Sequence, residues 1–112
     1  HEVVYMLWRD DSVNLKAGIT DRAWYESKTK KLKTVSVLYI DDFWKGKVTE
    51  ADVNLAFEIL NTRYNDTSMR TIISSELKLE EILKIDEAIG GRIYERSRGF
   101  TVLAPKENWR IR

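Results

Sequence analysis

The run Val35-Ser36-Val37-Leu38-Tyr39-Ile40 constrains this chain more than any other segment. It is short, β-branched at its start and nearly continuous in apolar residues. That is the pattern of a strand covered on both faces, and such strands belong to mostly parallel sheets flanked by helices. Two acids, Asp41 and Asp42, end it abruptly. Whatever fold the chain adopts must therefore bury this run and still bring its carboxyl end to water.

The flanking segments alternate in kind. Val3–Trp8 reads as a strand, followed by caps at Asp10-Asp11-Ser12 and a short helix through Leu15 that ends near Gly18. Thr20 is the expected cap of a second helix carrying Ala23, Trp24 and Tyr25. Thr49 and Asp52 have capping-box spacing. The helix after them places Val53, Ala56, Phe57, Leu60 and Tyr64 on one face and stops at Asn65-Asp66. Met69–Ser74 reads as a second buried strand. Leu79, Ile82, Leu83, Asp86 and Ile89 then recur at helical spacing, with Gly90-Gly91 as terminator. Gly99–Ala104 reads as a further strand, followed by a turn at Pro105 and a short strand near Trp109–Arg112. Strands separated by helices imply crossover connections. The expected fold class is α/β, a mostly parallel sheet with flanking helices, in a single domain over 1–112.

Composition narrows the chemistry. The chain has 112 residues, no cysteine and one histidine, His1. That excludes a disulfide framework, thiolate metal sites and multi-histidine zinc. No apolar run approaches the ~20 residues of a membrane span. The net charge of +1 predicts no strong overall attraction to nucleic acid or membrane. Lys28, Lys30, Lys31 and Lys33 precede the central strand and read as a soluble linker that discourages edge pairing; a binding patch is the other reading. The absent starting methionine and the immediate apolar run Val3-Val4-Tyr5 lead to the expectation of a fragment.

The acidic pair is the informative constellation. In open α/β sheets, ligands bind outside the carboxyl ends of the strands. Adjacent like charges repel, and a hydrated Mg²⁺ held by one or two carboxylates plus phosphates gives them a reason to stay ionised. The plainer reading is that one acid caps the following turn. Receiver domains also carry an acidic pair, but after their first strand. The Walker B strand of a P-loop ATPase is the other architecture that places acids here. No phosphate cradle of the form G-x-x-x-x-G-K-[ST] occurs; the single Gly-Lys pair, Gly46-Lys47, lacks the pattern around it.

Val37–Phe43, Thr49-Glu50-Ala51-Asp52, Phe57–Tyr64, Thr71–Leu77 and Ile85–Glu95 together resemble, in order and spacing, the DnaC-type replicative helicase loaders. These are AAA+ ATPases of the IstB-like kind, found in Gram-positive bacteria and their phages. The resemblance runs from Val4 to the end and corresponds to the C-terminal part of the ATPase domain, without the Walker A segment. It implies ATP and Mg²⁺ as cofactors, with Asp41 holding Mg²⁺ through water and Asp42 orienting the attacking water. It implies a sensor within Ser74–Glu76, assigned to Ser75 for nucleotide contact, and an arginine finger at Arg92. The implied partners are the hexameric replicative helicase, single-stranded DNA and further copies of the chain, with no membrane, in the cytoplasm.

Each residue also has a plainer reading. Ser75 caps the next helix, and Arg92 pairs with an acid such as Glu95. Trp8, Trp24, Trp44 and Trp109 read as packing residues; the other reading is kept for the loop Trp44-Lys45-Gly46-Lys47, which joins an aromatic to two cations beside the acidic pair, a combination suited to single-stranded DNA. The transposition helpers of the IstB type share the implied core. A non-catalytic interaction module with a degenerate nucleotide site is the reading of a different class. Without the cradle strand, the 112-residue chain is expected to bind ATP weakly and to be inactive alone.

Overall fold

The computed structural model describes residues 2–99 and residue 101. The elements run β1 (Val3–Leu7), α1 (Trp8–Ala17), α2 (Arg22–Thr34), β2 (Val37–Asp41), α3 (Glu50–Tyr64), β3 (Arg70–Ile73), α4 (Leu79–Ile85) and α5 (Glu87–Arg96). The strands form a three-stranded sheet in the order β1-β2-β3, with both pairings parallel. The fold is thus α/β, with the apolar run at its centre. The strands expected at Gly99–Ala104 and Trp109–Arg112 fall outside the described residues, apart from Gly99 and Thr101.

One face of the sheet carries the core. Met6, Leu38 and Ile40 are buried together with Tyr25 and Leu32 of α2, Leu55, Ala56, Ile59 and Leu60 of α3, and Ile82 and Ile89 of α4 and α5. The other face is open among the described residues. The register sets Tyr5, Tyr39 and Ile72 side by side on it, and Tyr5 and Ile72 are exposed. This corrects two expectations. Among the described residues, β2 is covered on one face rather than two, leaving Tyr39 half-buried, and β3 is an exposed edge strand rather than a buried one.

Several helix boundaries differ from expectation for local reasons. α1 starts at Trp8, ahead of the expected caps; Asp11 instead accepts the Leu7 N–H at 2.9 Å from within the first turn. Asp21, not Thr20, caps α2 by accepting from the Trp24 N–H. The lysine run is helical, not a linker. Its buried stripe is Tyr25, Thr29 and Leu32, and Thr29 hides in the pattern as a polar residue whose hydroxyl bonds the Tyr25 carbonyl at 2.8 Å. The Thr49–Asp52 capping box is present.

The long helix expected over Leu79–Ile89 is two helices. Asp86 breaks the chain into an extended conformation and caps α5 by accepting the Ile89 N–H at 2.9 Å. Gly90 and Gly91 lie inside α5 rather than ending a helix. Gly90 is there for contact: a Cβ on it would stand 2.8 Å from the Leu83 Cα, so only glycine lets α4 and α5 approach this closely.

Candidate functional site

β2 ends at Asp41, and the chain turns sharply at once. Asp42 has φ 55° and Trp44 has φ 58°, both in the left-handed region. Aspartate tolerates this conformation; tryptophan rarely adopts it. The turn is pinned to the end of β3. The Phe43 N–H donates to the Ser74 carbonyl at 2.9 Å, and the Ser75 hydroxyl donates to the Phe43 carbonyl at 2.8 Å.

Asp41 is held from both sides. The Ser74 hydroxyl donates to its Oδ1 at 2.5 Å, and the Tyr5 hydroxyl donates to its Oδ2. The Ser74 bond first, then that of Tyr5, hold the Asp41 carboxyl below the usual carboxylate range. The same bond, with burial and the nearby negative charge, pushes the Tyr5 phenol up to about 12. Tyr5 therefore stays a neutral donor at physiological pH. A carboxylate has about four lone-pair directions, so two remain for a further donor such as a metal-bound water.

Among the described residues no group of three or more metal-ligating side chains comes together. A closed protein cage for a cation is absent there. The donor set fits Mg²⁺ only in the form in which the ion keeps its waters and takes one or two carboxylates. Asp41 is ionised, half-buried and fixed in orientation, which suits that role.

The structure redistributes the other expected site residues. Ser74, not Ser75, meets the acidic pair; Ser75 is spent on the turn, accepting the Leu77 N–H at 3.0 Å as well as bonding Phe43. Glu76 faces Lys45, with 3.4 Å between charged atoms. Lys45 and Lys47 are exposed, but Trp44 is 1% exposed and stacks on Phe43 with ring centroids 4.6 Å apart. The aromatic half of the expected DNA-binding loop is therefore core, because the left-handed turn points the indole inward.

Arg92 lies on α5 against α3. Its guanidinium sits over the Phe57 ring at 5.1 Å and the Tyr64 ring at 5.5 Å, and it donates to the Ala88 carbonyl. It makes no pair with Glu95, whose carboxylate accepts from the Tyr64 hydroxyl instead. The Arg92 Nε is buried without a hydrogen-bond partner. Because α3 crosses back over the sheet, the Tyr64 end lies away from the acidic pair.

Two buried charges escaped the sequence reading. Asp52 is 5% exposed and pairs with Lys16 at 2.6 Å while completing the Thr49 cap. Burial alone would raise its pKa, but the Lys16 ammonium and the Thr49 backbone and hydroxyl outweigh it, and the net shift is downward. A lowered folded pKa contributes stability that is full above the ordinary aspartate value of about 3.9. That contribution is lost as pH falls through the lower folded value. The stability gap between the parent and Asp52→Asn, from urea unfolding, is thus expected to be constant near neutrality and to shrink below about pH 4. A gap independent of pH down to acid unfolding would refute the pairing.

The second is Arg63, 2% exposed on the face of α3 opposite the solvent. Its Nη1 donates to the carbonyls of Val35 at 2.6 Å and Leu32 at 3.1 Å, its Nη2 to Arg70 at 2.8 Å, and its Nε to the Thr71 hydroxyl at 2.8 Å. It joins the end of α2, the approach to β2 and the start of β3, and so sets the strand pair whose far ends carry Asp41 and Ser74.

No protein-family model matches the chain, and no solved structure matches it. The chain is 35% identical over 106 residues to the phage-like element PBSX protein XkdC of Bacillus subtilis (strain 168), spanning 90% of this chain and 38% of that protein. It is 39% identical over 105 residues to the uncharacterized protein YqaM of the same strain, spanning 89% of this chain and 32% of that protein. The chain therefore spans about a third of the length of the curated relatives it matches. Their source agrees with a phage or Gram-positive origin.

Proposed function

We propose that the chain is the Walker B and sensor portion of an AAA+ ATPase that controls delivery of a hexameric replicative helicase onto single-stranded DNA. The observation that carries this reading is the contact between Asp41 and Ser74 at the carboxyl ends of adjacent parallel strands. It sets a fixed, ionised carboxylate and a hydroxyl where α/β sheets bind ligands. The outer edge of β3, unpaired among the described residues, supports it as well, since the family's cradle strand pairs with the sensor strand there. The roles follow from the arrangement. Asp41 would hold Mg²⁺ through water, and the ion would supply charge neutralisation on the phosphates. Asp42 orients and polarises a water. Ser74 takes the sensor position, reading the state of the Asp41 carboxylate. Arg92, away from this chain's own acidic pair, would serve a neighbouring copy, which ties hydrolysis to assembly.

The test is ATP hydrolysis by the natural full-length polypeptide and its Asp42→Asn variant. Asparagine tolerates the left-handed backbone, so the melting temperature should hold. The turnover rate should fall about a hundredfold, the lower end of what a positioned base contributes, with little change in the KM for ATP. Equal rates in the two proteins would remove Asp42 from the mechanism. Capture of the hexameric helicase then separates a loader from a transposition helper of the IstB type.

One observation favours a second reading, an interaction module that kept the fold without catalysis. Both oxygens of Asp41 are already engaged by hydroxyls of the chain itself. Absence of hydrolysis by the full-length polypeptide, even with helicase and single-stranded DNA present, supports that reading.

A further inference from the structure

The outer edge of β1 borders a groove of about 350 Å³, floored by Val4, Met6 and Leu32, walled by Lys28 and Lys31 of α2, and closed at one end by Asp11. The backbone along it is only partly occupied. The Glu2 carbonyl accepts the Val37 N–H at 3.1 Å. In a parallel ladder the even-numbered residues of β1 thus turn their peptide groups to β2, and Val3, Tyr5 and Leu7 turn theirs outward. Asp11 takes the outward N–H of Leu7. β1 has no strand on that side among the described residues, which leaves the outward groups of Tyr5 facing the groove and those of Val3 on the same edge beside it.

Lysines beside an edge strand ordinarily blunt it against pairing. Here they make the edge selective. A second copy of the chain presenting the same edge would bring Lys28 and Lys31 against their own kind. A strand carrying carboxylates would meet two cations instead. Glu2 already shows the contact in miniature: its carboxylate, on the β1 side, reaches the Lys31 ammonium at 2.5 Å. Lys28 makes no ion pair among the described residues.

We propose that this edge is a docking site for an extended acidic segment of a partner protein, added as a strand beside β1. Main-chain bonds to Val3 and Tyr5 supply affinity, and alternate side chains supply specificity. Residues of the added strand that face α2 meet the apolar floor and the two lysines. Those in between lie beside Tyr5 on the open face of the sheet. An aliphatic residue with a carboxylate two positions to either side fits this pattern. The proposal does not require the ATPase reading; the two places meet only at Tyr5, whose backbone faces the groove while its hydroxyl holds Asp41.

The test uses the 112-residue chain and a synthetic, end-blocked heptapeptide with glutamate, valine and glutamate at alternate positions between threonines. Saturation should slow hydrogen exchange at the Tyr5 amide, followed by NMR. Reversing both charges with Lys28→Glu and Lys31→Glu should weaken binding at least about tenfold, as loss of complementary charge does at an interface. Circular dichroism checks that the variant folds. A peptide N-methylated on the amides that face β1 leaves the protein unaltered and should not bind. Unchanged Tyr5 exchange at saturation, equal affinity of folded parent and charge-reversed variant, or equal binding of the methylated peptide would each overturn the proposal. So would a short oligothymidylate that competes the peptide away, or a dimer of the chain that protects the same amide.

Discussion

Arg63→Met is expected to cost about 3–5 kcal/mol of folding stability, the range for removing the charged member of a buried hydrogen-bonded set. The side chain is nearly inaccessible, and its donors reach three carbonyls within 3.1 Å and the Thr71 hydroxyl. Methionine fills much of the volume but takes from the buried Leu32 and Val35 carbonyls the donor that reaches them. Burial lowers the Arg63 pKa from its ordinary value, with the charge of Asp66 opposing. Guanidinium nonetheless stays charged at any pH at which the protein folds. Arg63→Lys should recover less than half of the loss, because one ammonium with three donors cannot span the acceptors that a planar fork reaches. Urea unfolding monitored by circular dichroism measures both. A loss below about 1 kcal/mol for methionine would mean that water replaces the guanidinium, contrary to the enclosure seen here.

The same residue explains which parts of the fold were legible in the sequence. The central strand, the Thr49 capping box and the parallel order rest on local patterns: a continuous apolar run, a cap at fixed spacing, strands alternating with helices. The face of α3 was legible in part: Ala56 and Leu60 are buried and Val53 packs against the core as expected. Reading apolar residues alone puts Phe57 and Tyr64 on the inner face. The structure buries Asp52, Leu55, Ile59 and Arg63 beside Ala56 and Leu60, and leaves Phe57 exposed. The stripe is rotated by about one residue because two charged side chains are inside, each satisfied by groups distant in sequence. In α2 the buried Thr29, a polar residue satisfied by the Tyr25 carbonyl, likewise falls outside an apolar pattern. At the site, Asp41 at the end of β2 followed from the pattern, but its partners did not. Tyr5 lies 36 residues away and Ser74 33 residues away, so only the strand register brings them together. A serine that meets the acid and its neighbour that pins the turn cannot be told apart without knowing where the last strand residue points.

Trp44→Ala is expected to destabilise the fold by about 3–5 kcal/mol, as large-to-small changes of buried aromatics do. Any effect on single-stranded DNA binding should then follow from unfolding alone. The indole is stacked on Phe43, which meets Trp8 edge-on with ring centroids 5.1 Å apart. Two features make the series more informative than a single variant. The indole N–H is buried without a partner, so Trp44→Phe removes an orphaned donor along with some volume and should cost far less than alanine. The backbone is left-handed, so Trp44→Gly should be no worse than alanine, the reverse of the usual order, because glycine alone adopts that conformation without cost. Thermal unfolding of the three variants gives the ranking, and alanine clearly more stable than glycine would show that the turn carries no strain. The consequence for the site follows from position. Phe43 and Trp44 are the two residues after Asp42, and their burial anchors the turn on which the fixed geometry of the acidic pair depends. On the proposed ATPase reading, a variant that stays folded while its turn relaxes should therefore lose ATP hydrolysis before it loses ATP binding.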